Sequence, residues 1–197
     1  MDPREAISRI EQIREDLARA EVFRVYRHAS VAFTGVMALI GALVQSQWGL
    51  NDVDSFLSLW ITIALICIMV IGVEMTIRCR YSNSALMREA AIVASRQFAP
   101  CLIAGGLLTL AIYRSVPDAI HLLPGLWMIL FGLGIFASWR FLPQAIIWSG
   151  VFYLAAGFLC LAWAQHEAAL SPWAMALPFG VGQLLTAAIL YWNLERK

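Results

Sequence analysis

Apolar positions along this chain gather into six long runs, and short polar segments separate them. Stretches with no Asp, Glu, Lys, Arg or His cover residues 29–51, 55–73, 97–113, 122–139, 141–165 and 168–194. Crossing a hydrocarbon layer ~30 Å thick takes roughly 17–25 helical residues, so each run has the length of a membrane span. The shortest, 97–113, lengthens if Arg96 and Arg114 extend their charged ends toward water. Within the runs, stretches such as ITIALICIMVIG and LPGLWMILFGLGIFA are apolar on every face. That pattern suits helices surrounded by lipid and by one another. It lacks the alternating apolar and polar positions of a transmembrane β-strand. The predicted fold class is all-α: a polytopic integral membrane protein with spans at about 29–48, 56–77, 97–113, 122–139, 144–164 and 173–193.

The first 28 residues break the pattern. DPREAISRIEQIREDLARAEVFRVYRH has Asp2 as an N-cap, Pro3 at the first helical position and Glu5 in the first turn. Ile10, Ile13, Leu17 and Ala20 recur at spacings of 3, 4 and 3, which makes a short apolar seam. Glu5–Arg9 and Glu15–Arg19 are i,i+4 pairs in the favourable order, and Glu11–Arg14 and Glu21–Arg24 are i,i+3 pairs. The segment is predicted to be an amphipathic helix. Its six Arg balance six acidic residues, so it lacks the cationic excess of a helix built for anionic lipid. Packing against a partner chain, a second copy or the bundle's own inner ends is expected instead. These 28 residues carry no early apolar core, so no cleavable secretory signal is expected and the first span would direct insertion. The chain then divides into residues 1–28 and a bundle, 29–197, with no room for a further soluble domain.

Composition agrees with the pattern. The chain is 61% hydrophobic and 14% charged, with a mean hydropathy of +0.73. That is more apolar surface than a soluble domain of this length can hide. Charge distribution sets the orientation. With the N-terminus inside, 13 of the 14 Lys and Arg fall on cytoplasmic segments and only Arg114 falls outside. Both termini are therefore expected in the cytoplasm and the chain in the cell membrane. The longest connection, 78–98, reads as a cytoplasmic interfacial helix or as an inner extension of the third span bent near Pro100, with Ser82, Asn83 or Ser84 as candidate caps. Leu59-Trp60 and Leu126-Trp127 echo each other, as do Arg27, Arg96 and Arg140 at the starts of odd-numbered spans. Three repeated hairpins would explain this, and so would convergence on the same topological rule.

Candidate chemistry is sparse. Glu74 is the one ionisable residue inside an apolar run, and an intramembrane carboxylate is a functional candidate by default. It lies one turn before Arg78, so it reads either as an interfacial anchor or interhelix clasp, or as a carrier of protons or substrate. Arg78, Arg80, Arg88 and Arg96 are its expected neighbours, and their basic surface could hold anionic lipid headgroups. Gln183 follows Pro178-Phe-Gly-Val-Gly182, a sequence that could unwind to line a path or pack closely against a neighbouring helix. His121 and His166, at outer ends near Asp118 and Glu167, form a weak candidate zinc pair without metal-site spacing. The four cysteines show neither disulfide nor CxxC spacing.

No Walker loop, GxSxG or paired intramembrane carboxylate occurs, so neither an enzyme nor a cofactor is expected. The expected partners are the bilayer, a protein or second copy bound through residues 3–27, and anionic lipid, with no nucleic acid. The functional expectation is a non-catalytic membrane module that oligomerises or docks a partner through that helix and the 78–98 loop. The alternative is a small transporter or channel-like protein for a neutral or amphipathic solute, with Glu74 and Gln183 lining the path.

Overall fold

The computed structural model describes residues 28–50, 52–81, 85–139, 144–163 and 168–194. The N-terminal segment, the 82–84 caps, Arg140 and His166 lie outside the described residues. Helices α1 (His28–Trp48), α2 (Val53–Tyr81), α3 (Ala85–Ser115), α4 (Leu123–Ser138), α5 (Ile147–Trp163) and α6 (Pro172–Leu194) follow one another. Short 3₁₀ turns at Pro117–Leu122 and Gln144–Ile146 lead into α4 and α5. No strand occurs among the described residues. Six of these segments are long and apolar enough to cross a membrane, which makes this a multi-pass helical protein.

Local chemistry sets the helix ends. Gly49 has φ +60, a left-handed conformation that costs glycine nothing, and it stops α1. The Leu50 N–H then returns to the Gln45 carbonyl at 3.2 Å, closing a Schellman turn. Asp52 caps α2 by accepting the Ser55 N–H at 2.9 Å. Ser171 accepts the Ala174 N–H at 3.3 Å, and Pro172 follows it at the first helical position of α6, where a missing N–H costs nothing.

α1 packs most extensively on α6 and α4 on α5, followed by α3 on α4 and α1 on α2. With the thinner α5–α6 and α2–α3 contacts, these make a closed circuit of six helices. Glycines set the tight contacts. A Cβ on Gly125 would stand 2.9 Å from the Gly157 carbonyl, and one on Gly157 would stand 2.8 Å from the Gly125 carbonyl. Gly132 approaches the Gly150 carbonyl in the same way, at 3.1 Å, and Gly35 the Gly180 carbonyl, also at 3.1 Å. Without side chains in between, the backbones approach closely enough for dispersion to hold helices together in lipid, where no hydrophobic effect separates helix from solvent. A cluster of aromatic rings fills the centre. Phe131 of α4 lies 4.8 Å from Tyr153 of α5, 5.8 Å from Phe179 of α6 and 5.2 Å from Phe98 of α3, by ring centroids.

The α2–α3 pair differs. A Cβ on Gly72 or on Gly106 would meet nothing within 4 Å. The two helices join near their ends: the Tyr113 hydroxyl donates to Asp54 at 2.9 Å, while Met75 and Cys79 pack on Ala91 and the Ser95 hydroxyl reaches Met75 Sδ at 3.4 Å. Both helices also run past the expected spans. α1 has 21 residues, about 31 Å at 1.5 Å per residue, whereas α2 has 29 and α3 has 31, about 44 and 46 Å. The 78–98 region is therefore an extension of both neighbouring helices, with no separate interfacial helix among the described residues. Pro100 sits inside α3 and Pro178 inside α6, and each helix is assigned continuously through its proline.

Candidate functional site

Glu74 sits where α2 passes the first turn of α1. Its carboxylate accepts the hydroxyl of Ser30 on α1 and the Nε–H of Arg78 at 3.1 Å, one turn onward on its own helix. Glu74 directly follows the uncharged run 55–73 and lies one turn before Arg78, at the charged end of that run. A carboxylate at the end of an apolar run is far less costly than one at its centre. Both partners remain partly open, with 26% of the Glu74 side chain and 31% of the Arg78 side chain exposed.

Beyond Glu74 the last two turns of α2 run beside the first turns of α3. Met75 lies level with Ser95 and Cys79 level with Ala91, so residues 75–81 and 85–94 form an antiparallel projection beyond the Glu74–Ser30 contact. Arg80 and Arg88 are exposed on it, Arg78 is half-buried, and Arg96 is exposed at its base. Arg114 stands at the opposite end of α3. The structure thus gathers Glu74, Arg78, Arg80, Arg88 and Arg96 at one end of the α2–α3 pair.

Gln183 lies elsewhere. It is half-buried on α6, and a Cβ on Gly35 of α1 would stand 3.1 Å from its Cβ. Among the described residues, the open groove beside Glu74 is lined by Met69, Val70, Val73, Glu74, Ile77 and Arg78 of α2. Gln183 is not among them. Gly180 and Gly182 are packed rather than unwound: a Cβ on Gly182 would come 2.5 Å from the Tyr153 ring, and one on Gly180 3.0 Å from Leu39. His121 Nδ1–H donates to the Asp118 carbonyl at 2.7 Å within its own turn. Among the described residues no three His, Cys, Asp or Glu side chains gather as a metal site would require.

The sequence reading passed over Gln45. Fully buried on α1, its side-chain carbonyl accepts the Trp60 indole N–H at 2.9 Å and its amide donates to the Leu170 carbonyl at 2.8 Å. One amide thereby ties α1 to α2 and to the turn before α6. Trp127 makes a matching contact in the next hairpin, donating its indole N–H to Thr109 of α3 at 2.9 Å. The two Leu-Trp pairs thus play the same part in both hairpins, each donating to a polar residue near the far end of the preceding helix. Gln97 Oε1 and Ser149 Oγ are buried without a hydrogen-bond partner among the described residues.

Six apolar helices, a polar rim around Glu74 and an arginine-bearing projection define a multi-pass membrane helix bundle. Compared with known protein families, curated proteins and solved structures, the chain matches none.

Proposed function

We propose that this chain is a non-catalytic module of the cell membrane, with both termini in the cytoplasm. It docks a partner protein or a second copy through residues 3–27 and the projecting ends of α2 and α3. The observation that carries this reading is the projection itself. Two helices whose span sections touch mainly at their ends continue beyond the level of Ser30 as a packed pair. They present Arg80, Arg88 and Arg96 there, a cationic surface suited to an acidic partner. Segment 3–27, with six Arg against five acidic residues, adds an apolar seam of the kind one helix offers another. The bias of 13 Lys and Arg against one supports a cytoplasmic position for the projection.

The transporter reading draws less support. It requires Glu74 and Gln183 on one path, yet Gln183 packs against Gly35 of α1 and is not among the described residues that line the groove at Glu74. Glu74 is also engaged by Ser30 and Arg78 at the rim rather than standing at mid-depth.

Deleting residues 2–24, and separately exchanging Arg80 and Arg88 for Glu, tests the docking reading. Crosslinking and affinity isolation from membranes should show the oligomer or partner lost in both, with insertion unchanged. An oligomer and partner set identical to those of the intact chain in both variants would overturn it.

A further inference from the structure

The stripe of α2 that faces α1 continues past the first residue of α1. Gln45 meets Trp60, Gly41 meets Ile63 and Ser30 meets Glu74, so facing residue numbers total 105, 104 and 104. The two helices therefore keep one antiparallel register over about 22 Å, since each rises 1.5 Å per residue. α2 then runs seven residues beyond Glu74, about 10 Å, to Tyr81. Ile77, Arg78 and Tyr81 follow Glu74 at i+3, i+4 and i+7, on the face that Glu74 turns to Ser30. Met75 and Cys79, which pack on Ala91 of α3, take the opposite side. Ile77 is 49% exposed and Tyr81 86%. Arg78, between them, is engaged beyond Glu74 as well, and no free donor is asked of it here.

The same register names what belongs on this stripe. Positions 77–81 are level with 23–27, the end of the segment predicted to be helical over 3–27 and joined directly to His28. Counting back from Ser30 by 3, 4 and 7 gives Arg27, Tyr26 and Phe23. Phe23 and Tyr26 are the only Phe, Trp or Tyr before His28. Phe23 is level with Tyr81, and Tyr26 with the turn that holds Ile77. A segment tethered at His28 meets the stripe at a millimolar effective concentration, which any separate occupant would have to exceed.

We infer that residues 21–27 extend the α1–α2 contact along this stripe, with Phe23 on Tyr81 and Tyr26 on Ile77. The occupant of the exposed face is the chain's own segment. Ile10, Ile13, Leu17 and Ala20 take no part in the pairing. Ala20 is level with position 84, past the last residue of α2, so the apolar seam stands clear of the projection. Only the use of that seam by a partner rests on the docking reading. The pairing stands without it, and without any choice of membrane side.

Disulfide trapping in the full chain provides the test, with the four native cysteines replaced and a protease site inserted in the turn after Gly49. Cleavage there separates α1 from α2 unless a disulfide joins them. On mild oxidation in membranes, Phe23→Cys/Tyr81→Cys should hold the two fragments together. It should do so severalfold faster than Val22→Cys/Tyr81→Cys, in which the first cysteine is turned about 100° around its helix. Ser30→Cys/Glu74→Cys sets the rate for facing positions.

Equal rates for the Phe23 and Val22 pairs, as two helices lying separately in the lipid interface would give, would overturn the inference. So would joining in neither pair while the Ser30 pair joins, or failure of the Ser30 pair itself, which would remove the register. Disulfide-linked dimers in place of joined fragments would show a second copy on the stripe and overturn it too. The docking reading fails on a different result, an unchanged oligomer and partner set in its own two variants.

Discussion

Gly157→Ala and Gly106→Ala insert the same methyl group into two helix faces with opposite surroundings. At position 157 the new Cβ would stand 2.7 Å from Ile129 Cγ1 and 2.8 Å from the Gly125 carbonyl oxygen. The isoleucine can turn aside, but the carbonyl belongs to the backbone of α4. The α4–α5 contact must therefore open, and Gly125, whose Cβ would face the Gly157 carbonyl at 2.9 Å, holds it from the other side. Overpacking of this kind costs about 1–3 kcal/mol.

At position 106 nothing lies within 4 Å, and alanine is the better helix former by about 0.5–1 kcal/mol. Both substitutions gain that propensity, so the two variants should differ by the overpacking cost alone, about 1–3 kcal/mol, with Gly106→Ala neutral or stabilising. Equilibrium unfolding in mixed micelles, followed by circular dichroism, measures this difference. A Gly157→Ala variant as stable as Gly106→Ala, both at or above the parent chain, would refute the close α4–α5 contact. A Gly106→Ala variant as costly as Gly157→Ala would refute the open α2–α3 face.

Gln45→Leu leaves the buried indole N–H of Trp60 and the Leu170 carbonyl without partners. It should cost about 1–3 kcal/mol in the same unfolding assay, with a changed tryptophan emission. Thr109→Val removes the acceptor for Trp127; its cost should be nearer 0.6 kcal/mol, the average for interhelical hydrogen bonds in a membrane bundle. Asp52 accepts the Ser55 N–H, and that hydrogen bond holds its pKa below the ordinary 3.8. A depressed folded-state pKa contributes stability above the unfolded value that is lost as pH falls through the folded one. The protection factors of the Ser55–Leu57 amides, taken against the intrinsic exchange rate at each pH, should therefore hold constant around neutrality and fall only below about pH 3.8. In Asp52→Ala they should be low throughout.

The six spans were legible because hydrogen-bond satisfaction in lipid demands long uncharged helices, and such runs need no tertiary information to see. Where α2 ends and α3 begins was not legible. Hydropathy falls at Arg78 and Arg80 and recovers only after Arg96, whereas helical backbone hydrogen bonding carries α2 through its arginines to Tyr81 and holds α3 from Ala85 onward. Glu74–Arg78 could be read from its i,i+4 spacing, a property of one helix. The Ser30 contact joins residues 44 apart and could not be read from any local pattern. Gln45 escaped for a related reason. On a helix apolar all round, nothing local tells which polar residue turns inward, and Gln45 becomes prominent only once Trp60 and Leu170 are placed beside it. Gln183 drew notice for its neighbouring proline and glycines, yet those glycines serve the close approach of α1 and Tyr153 to α6.

Sidedness tests the account most directly, since the docking projection depends on it. With the four native cysteines replaced, Arg88→Cys and Asp118→Cys variants can be exposed in intact cells to a membrane-impermeant maleimide. The account predicts that Asp118→Cys is labelled at once and Arg88→Cys only after permeabilisation. Labelling of both from outside, of both only after permeabilisation, or in the reverse order would contradict it.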